Sequence, residues 1–438
     1  MSEASLRTVA VTTLGCKVNQ CESAAISACF EERGLKVVPF GAAADIYVIN
    51  TCAVTAKAGA QSRQLIRRAL RANPEGKVVV TGCYAQVAGP EVREMAGREV
   101  CLVGNDSKHL LVPLALAEGG DGRGPCASDL CAKRLFDDLP ARRLPGRTRG
   151  YLKIQDGCDN FCSYCIVPHA RGRARSLAPE RVLAKARELA AAGCRELVLT
   201  GIHVGMYGQD LTPRASLLSL ARRLAGQTEG PRYRISSLEP GEVSRELLAL
   251  MAQAHCFMPH FHLPLQSGAP EVLRRMNRRY TVADFVRVVE MILATLPEAA
   301  IGLDVLTGFP GEGEAEFEQT VKLIEGLEIS YLHVFPYSRR PGTPAALMPA
   351  QVPGPVKEER AARLLALGQE KRRRFYARQQ GALRRVLAEG RDSRSKLMRG
   401  FAENYVPVCF QADPGLAGQV VEVRIEEVRG LEVFGRLI

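Results

Sequence analysis

Three cysteines, Cys158, Cys162 and Cys165, stand in the run QDGCDNFCSYCIVPHARGR with the spacing C-x3-C-x2-C. Three thiolates this close in sequence can chelate one compact centre, and thiolates suit zinc or iron–sulfur. His169, four residues beyond Cys165, could complete a Cys3His zinc site, and that is the competing reading of the spacing. A second set of three is dispersed: Cys16 follows the β-rich run VAVTTLG, Cys52 follows DIYVINT and Cys83 follows KVVVTG. In a parallel sheet the carboxyl ends of the strands share one edge, so these thiols can converge although far apart in sequence. The alternative is three unrelated buried thiols. Each set stops at three ligands, which leaves one iron of a four-iron cluster open to a substrate or cofactor.

The elements that must position these residues alternate in the pattern of α/β folds. Over residues 1–118 the strand patterns 9–14, 45–50 and 77–81 are separated by helical patterns 23–33, 56–71 and 91–95, which predicts a parallel sheet with helices on its faces. Residues 119–147 are rich in Gly, Pro and Arg and read as a linker. From 148 to 375 strands are expected at 151–155, 196–200, 233–236, 260–263, 302–306 and 331–335, with helices such as 179–192 and 282–293 between them. Six βα units predict a partial (β/α)6 barrel, whose chemistry belongs at the carboxyl ends of the strands, where a structural zinc is out of place. Cys158 follows the first of those strands. A long basic helix over 356–380 leads into short alternating runs, and residues 376–438 are expected to form a small antiparallel barrel. The fold class is therefore α/β with a small β-barrel attached.

Of the other cysteines, Cys29, Cys101, Cys194, Cys256 and Cys409 sit in apolar contexts and read as packing. Cys21 lies one helical turn from Cys16, and Cys126 and Cys131 form a C-x4-C pair in the linker; a metal role for them stays open.

The 438 residues are 46% hydrophobic and 24% charged, which excludes a disordered chain. No apolar run approaches the roughly 18–20 residues of a membrane helix. The first residues lack an export-signal pattern, so a cytoplasmic location is expected, where the 14 cysteines stay reduced. Lys plus Arg number 59 against 47 acids, and a surplus of +12 favours a polyanionic partner. Within 371–399, eleven Lys or Arg face only Glu389 and Asp392, a local +9, with Phe375, Tyr376, Phe401 and Tyr405 close by, as on nucleic-acid surfaces. A solvated helix is the plainer alternative. Arg142, Arg143, Arg147, Arg149, Arg171, Arg173 and Arg175 make a second basic zone.

These motifs together resemble the radical SAM methylthiotransferase family, from about residue 7 to the C-terminus. C-x3-C-x2-C resembles its radical SAM motif, TLGCKVNQ, INTCAVT and VTGCYAQ resemble its N-terminal cluster motifs, and the last residues resemble its TRAM domain, an RNA-binding barrel. The loops LTGIHVG and SSLEP and the run HVFPYSRRPGTPA are most like the branch that modifies N6-threonylcarbamoyladenosine in tRNA; Cys21 and His169 stand where that branch usually has an aromatic. The resemblance implies an N-terminal methylthiotransferase domain over 1–118, a radical SAM core over 148–375 and a TRAM domain over 376–438. It implies two 4Fe–4S clusters, one on Cys158, Cys162 and Cys165 that binds S-adenosylmethionine and one on Cys16, Cys52 and Cys83 that delivers sulfur. S-adenosylmethionine serves twice per turnover, as radical source and as methyl donor, and the product is a methylthio group on carbon 2 of the adenosine at tRNA position 37. By position Thr200, Gly201, Glu239, Gln266 and Asp304 are the expected cofactor contacts. Partners implied are the tRNA anticodon stem-loop, an electron donor such as flavodoxin or ferredoxin, and a sulfur source, with no membrane. The alternatives are the branches acting on isopentenyladenosine or on a ribosomal-protein aspartate, or a non-catalytic iron–sulfur or zinc RNA-binding factor.

Overall fold

The computed structural model describes residues 7–97, 99–117, 135–144, 146–227, 230–393 and 395–438. Cys126, Cys131 and Arg394 lie outside the described residues. The first five strands are β1 (Thr8–Thr13), β2 (Lys36–Val38), β3 (Ile46–Thr51), β4 (Lys77–Gly82) and β5 (Cys101–Val103). They pair in parallel in the order β2-β1-β3-β4-β5. Every residue of β3 is buried, as expected of a central strand covered on both faces. The helices around it are α1 (Lys17–Glu31), α2 (Ala56–Ala72), α3 (Cys83–Val87), α4 (Gly89–Ala96) and α5 (Leu111–Leu116).

Helix α1 starts at Lys17, six residues before the sequence pattern places it. Its first turns carry polar residues and so lack an apolar period. Asn19 and Glu22 are buried there nonetheless, because they face charged groups from the next unit of the chain.

That unit begins with β6 (Arg149–Lys153), β7 (Gln155–Asp156), α6 (Val167–Arg171), β8 (Arg175–Ser176) and α7 (Pro179–Ala191). It continues through β9 (Glu196–Thr200), α8 (Leu217–Ala225), β10 (Arg232–Ile235), α9 (Arg245–Gln253), β11 (His260–Gln266), α10 (Pro270–Arg275) and α11 (Val282–Thr295). It closes with β12 (Ala300–Thr307), α12 (Glu314–Gly326), β13 (Tyr331–Pro336) and the long α13 (Gly354–Ala377). Strands β6, β9 and β10 form one parallel sheet and β11, β12 and β13 another; a bridge from Tyr233 to Phe257 joins them. Six parallel strands with outer helices are the expected open barrel. The described part of the linker is not loose: Asp138 pairs with Arg181 at 3.0 Å and with Lys185 on α7. The last strands, β14 (Leu383–Arg391), β15 (Met398–Ala402), β16 (Pro407–Gln411), β17 (Val420–Arg429) and β18 (Glu432–Leu437), close into a barrel in the order β14-β15-β16-β18-β17. Among the described residues no helix is long and apolar enough to cross a membrane.

Two buried contacts fasten these units. In the first, Glu22 of α1 meets Lys108, Lys153 (2.8 Å) and Arg171 (3.0 Å), while Asp156 meets Lys153 (2.8 Å), Arg171 (2.9 Å) and Arg175 (3.8 Å). In the second, the turn between β15 and β16 enters the amino-terminal end of the larger barrel. Tyr405 at its tip, with φ +69°, lies under Arg234 (4.8 Å) and Arg149 (5.3 Å) and against His260 (4.6 Å). Arg149 also covers Phe401 at 4.6 Å and pairs with Glu389 at 3.0 Å.

Beneath this contact Glu196 holds Arg232 (2.5 Å) and Arg234 (3.0 Å). Burial would raise its carboxyl, but Arg234 and Arg232 outweigh burial and hold it at about 2. Its folded pKa is depressed, so its stabilisation is complete above the ordinary value of 4.5 and is lost as pH falls from there toward about 2. Glu196→Gln is expected to cost about 3–5 kcal/mol at neutral pH, because two guanidiniums lose a buried partner. Urea midpoints across a pH series check this: the gap between wild type and variant should narrow as pH drops below 4.5.

These contacts revise the reading of the basic zones. Arg171 and Arg175 are buried ion-pair residues and offer nothing to a nucleic acid. In the 371–399 stretch Lys371 is buried and donates to the carbonyls of Glu325 and Leu327, both at 2.7 Å. Arg374, Arg378 and Arg384 pair with Glu370, Glu328 and Glu298. Acids outside the 371–399 stretch thus neutralise cations that a count within it leaves free. Removing residues 371–438 would therefore uncover the end of the larger barrel rather than simply detach a tRNA-binding appendage.

Candidate iron–sulfur and cofactor site

Cys16, Cys52 and Cys83 each begin the turn or helix that follows a neighbouring strand, β1, β3 or β4. They share the sheet edge that the parallel order dictates. Gly15, with φ +100°, lets the chain turn there; a Cβ on it would lie 3.0 Å from Cys52 Cβ and Sγ and would crowd that thiol. Burial pushes the Cys52 thiol up to about 11, with Cys83 and Cys16 adding to the rise. Burial also raises Cys83, against which the Arg171 guanidinium favours the thiolate.

Cys158, Cys162 and Cys165 lie in the loop between β7 and α6. Burial pushes Cys165 up to about 12, Cys162 and Cys158 contributing. Burial raises Cys162 too, and Arg278 opposes it, its Nη1 donating to Cys162 Sγ at 3.3 Å. Arg278 also meets Glu239 and donates to the Pro264 carbonyl at 3.3 Å. Cys158 Sγ is 3.5 Å from His203 Nδ1, whose other nitrogen is 2.5 Å from Glu242.

The chemistry of these donors fits a cluster better than a single zinc ion. A tetrahedral zinc, about 2.3 Å from each sulfur, needs its thiolates about 3.8 Å apart. Neither triplet has its thiols all within 4.8 Å of one another, and His169 is exposed on α6. Each triplet also sets a buried guanidinium beside a thiol, as a sulfur-bound centre with net negative charge requires. Cys21 belongs to neither set: its thiol donates to the Tyr151 carbonyl at 3.5 Å, behind the barrel strand. Cys101 and Cys194 are core residues, as their apolar contexts predict.

The loop thiols open into a cavity of about 280 Å³ that also presents His203, Glu239, Gln266, Arg278 and Asp304. A second cavity, about 260 Å³, shares Cys165, Gln266 and Asp304 with it and reaches Val54 and Thr55, just past Cys52, and Phe335. The edge of the first sheet therefore lies over the mouth of the barrel, and Ala56 N donating to Ser338 Oγ at 2.8 Å ties the two there. Gln266, common to both cavities, has φ +61°, a left-handed conformation that is costly for a residue other than glycine. Burial would raise the Asp304 carboxyl, but hydrogen bonds from His262 (2.8 Å) and His333 (3.3 Å) hold it at about 2.

Of the five expected cofactor contacts, Glu239, Gln266 and Asp304 line the cavities; Thr200 and Gly201 do not, and Ile202 and His203 take that place. Thr200 is buried, its carbonyl accepting from Ile154 N at 2.9 Å, and a Cβ on Gly201 would meet Gln155 at about 2.9 Å. Arg278 and His203 went unread, since nothing in their local sequence announces a thiol partner. A larger cleft of about 520 Å³, with Arg63, Arg339 and Arg340, contains none of the six thiols.

The radical SAM superfamily model matches residues 152–324, and the model of an uncharacterised family, UPF0004, matches residues 8–104. A threonylcarbamoyladenosine tRNA methylthiotransferase, MtaB, of Bacillus subtilis is 39% identical over 96% of this chain and 94% of its own. Its namesake from Aquifex aeolicus is 37% identical over 91% and 96%. A tRNA-2-methylthio-N(6)-dimethylallyladenosine synthase of Erythrobacter litoralis is 34% identical over 99% and 97%. Among solved structures, the radical S-adenosylmethionine methyltransferase TsrM of Kitasatospora setae, 17% identical, matches in fold with a TM-score of 0.58 over 78% of this chain and 75% of its own. Thiols on a barrel mouth under a second thiol-bearing sheet edge, with relatives of this similarity along nearly the whole chain, lead to one conclusion: the chain belongs to the radical SAM tRNA methylthiotransferases, a family of transferases that use a 4Fe–4S cluster and S-adenosylmethionine.

Proposed function

We propose that this chain methylthiolates carbon 2 of N6-threonylcarbamoyladenosine, 3′ of the anticodon in cytoplasmic tRNA. Cys158, Cys162 and Cys165 would hold one 4Fe–4S cluster and Cys16, Cys52 and Cys83 a second. When bound, the first cluster with S-adenosylmethionine would supply radical chemistry, and the second cluster with a further S-adenosylmethionine would supply the sulfur and the methyl group. The observation that carries the reading is the pair of adjoining cavities, which places the surroundings of both thiol sets around one space.

The chain's own residues prepare that space. Arg278 fixes Cys162 to Glu239, so the thiol and a polar wall of the cavity are set together. Gln155 accepts from the backbone of Ile202 (3.0 Å) and His203 (2.7 Å), which fixes the loop after β9. Asp304 stays ionised between two histidines and offers an acceptor for a ribose hydroxyl or an amine. The relatives named for threonylcarbamoyladenosine, at 39% and 37% identity against 34% for the dimethylallyl one, support the choice of substrate.

Nucleoside mass spectrometry of tRNA from a strain lacking the gene tests it. The 2-methylthio derivative of threonylcarbamoyladenosine should vanish and its unmodified precursor accumulate. Loss of the isopentenyladenosine derivative instead would refute the branch, and unchanged tRNA with a ribosomal protein lacking its methylthio group would refute the RNA substrate.

A further inference from the structure

A third cavity, about 200 Å³, lies between β13, α13 and the inserted turn of the terminal barrel, and no role assigned above uses it. Its walls include Tyr331, His333, Arg372, Phe401, Asn404 and Tyr405. Arg372 covers the Tyr331 ring at 5.7 Å. Among the described residues Arg372 has no hydrogen bond or ion pair, although its neighbours Lys371 and Arg374 are both engaged. Asn404 is fully buried; its Nδ2 donates to Gln379 (3.0 Å) and to the Glu298 carbonyl (3.2 Å), while its Oδ1 has no partner. The cavity thus presents a guanidinium that no acid among the described residues neutralises, beside the buried Asn404.

Strand β13 runs from this cavity toward the reaction space. Tyr331, His333 and Phe335 alternate along one face of β13, their rings 5.2 and 6.4 Å apart in sequence. Phe335 lines the cavity that holds Cys165 and Asp304, His333 bonds Asp304, and Tyr331 lines the third cavity. An adenine whose carbon 2 faces the thiols can therefore lie along this aromatic row with its N6 substituent directed toward Arg372.

We propose that the third cavity is the seat of the threonylcarbamoyl arm, Arg372 taking its carboxylate. The proposal rests on the substrate reading above and names the residue that selects it. A dimethylallyl arm carries no anion for Arg372. A site built to pair with polar groups rejects an analogue that lacks them.

The experiment measures the affinity of the reconstituted full-length protein for three anticodon stem-loop RNAs: with threonylcarbamoyladenosine, with its threonine methyl ester, and with unmodified adenosine. The wild type should prefer the free acid over the other two by about tenfold to a hundredfold, the range of one charge-assisted bidentate pair. Arg372→Ala should erase that preference while holding the unmodified RNA as tightly as before. Arg372→Lys should restore only part of it, because an ammonium lacks the planar fork. Equal weakening of all three RNAs would make Arg372 a phosphate contact and overturn the proposal, as would an unchanged preference in Arg372→Ala. If the wild type converts a dimethylallyl RNA and not the threonylcarbamoyl one, the substrate reading falls with it; if threonylcarbamoyl RNA is converted yet Arg372→Ala still separates acid from ester, only the seat is wrong.

Discussion

Cys158→Ala should reduce reductive cleavage of S-adenosylmethionine to background, while Cys52→Ala should leave cleavage measurable and abolish methylthio product. The contrast follows from where the two thiols sit. Cys158 belongs to the loop that opens into the cavity with Glu239, Gln266 and Asp304, whereas Cys52 belongs to the sheet edge above it. Anaerobic reconstitution should give roughly eight irons in the wild type and about four in either variant, at four per cluster of this type. Both substitutions remove a small side chain without breaking a strand, and near-wild-type circular dichroism should accompany the lost iron. Stoichiometric zinc with about four irons in the wild type would sink the two-cluster reading, and product from Cys52→Ala would remove that thiol from sulfur delivery.

Arg171→Met should produce a large loss of stability and should empty one thiol set in preference to the other. Arg171 is fully buried and bridges Glu22 of α1, Asp156 of β7 and Asn19, so its removal leaves two carboxylates short of a partner. Breaking a buried pair from one side costs about 3–5 kcal/mol. The same guanidinium favours the Cys83 thiolate, so iron at the sheet edge should be lost first. The expected signature is a lowered urea midpoint with about four irons and retained S-adenosylmethionine cleavage. Arg171→Lys keeps charge without the fork and should fall between. An unchanged midpoint and a full complement of iron would show that the network is not what joins the sheet edge to the barrel.

The parts of the molecule that could be read from its sequence are those whose signal is local. Cys16, Cys52 and Cys83 each come directly after a β-rich run, and the topology rule for parallel sheets converts that into a shared edge without knowledge of the tertiary structure. The six strands of the larger barrel are legible because each is a short run with β-branched or aromatic residues between helical patterns and turn residues. What escaped depends on partners far along the chain. The first turns of α1 look like a polar loop because Glu22 is buried by Lys108, Lys153 and Arg171 rather than by apolar neighbours. Arg171 and Arg175 look like a nucleic-acid surface for the same reason. Arg278 reaches Cys162 from 116 residues away, and no spacing rule connects them. Thr200 and Gly201 were assigned from strand-end position alone, which does not tell a carbonyl turned into the sheet from a side chain turned into a cavity.

The turn at Tyr405 bears on how freely this architecture can be recombined. A terminal barrel that only hung from α13 could be exchanged for that of a relative as a cassette. Here Phe401 and Tyr405 are received by Arg149, Arg234 and His260, contributed by three different strands, and Arg384 and Asn404 engage the segment around Glu298. A chimaera would have to transplant socket and stopper together. Substitutions on either side are then bound to one another's history.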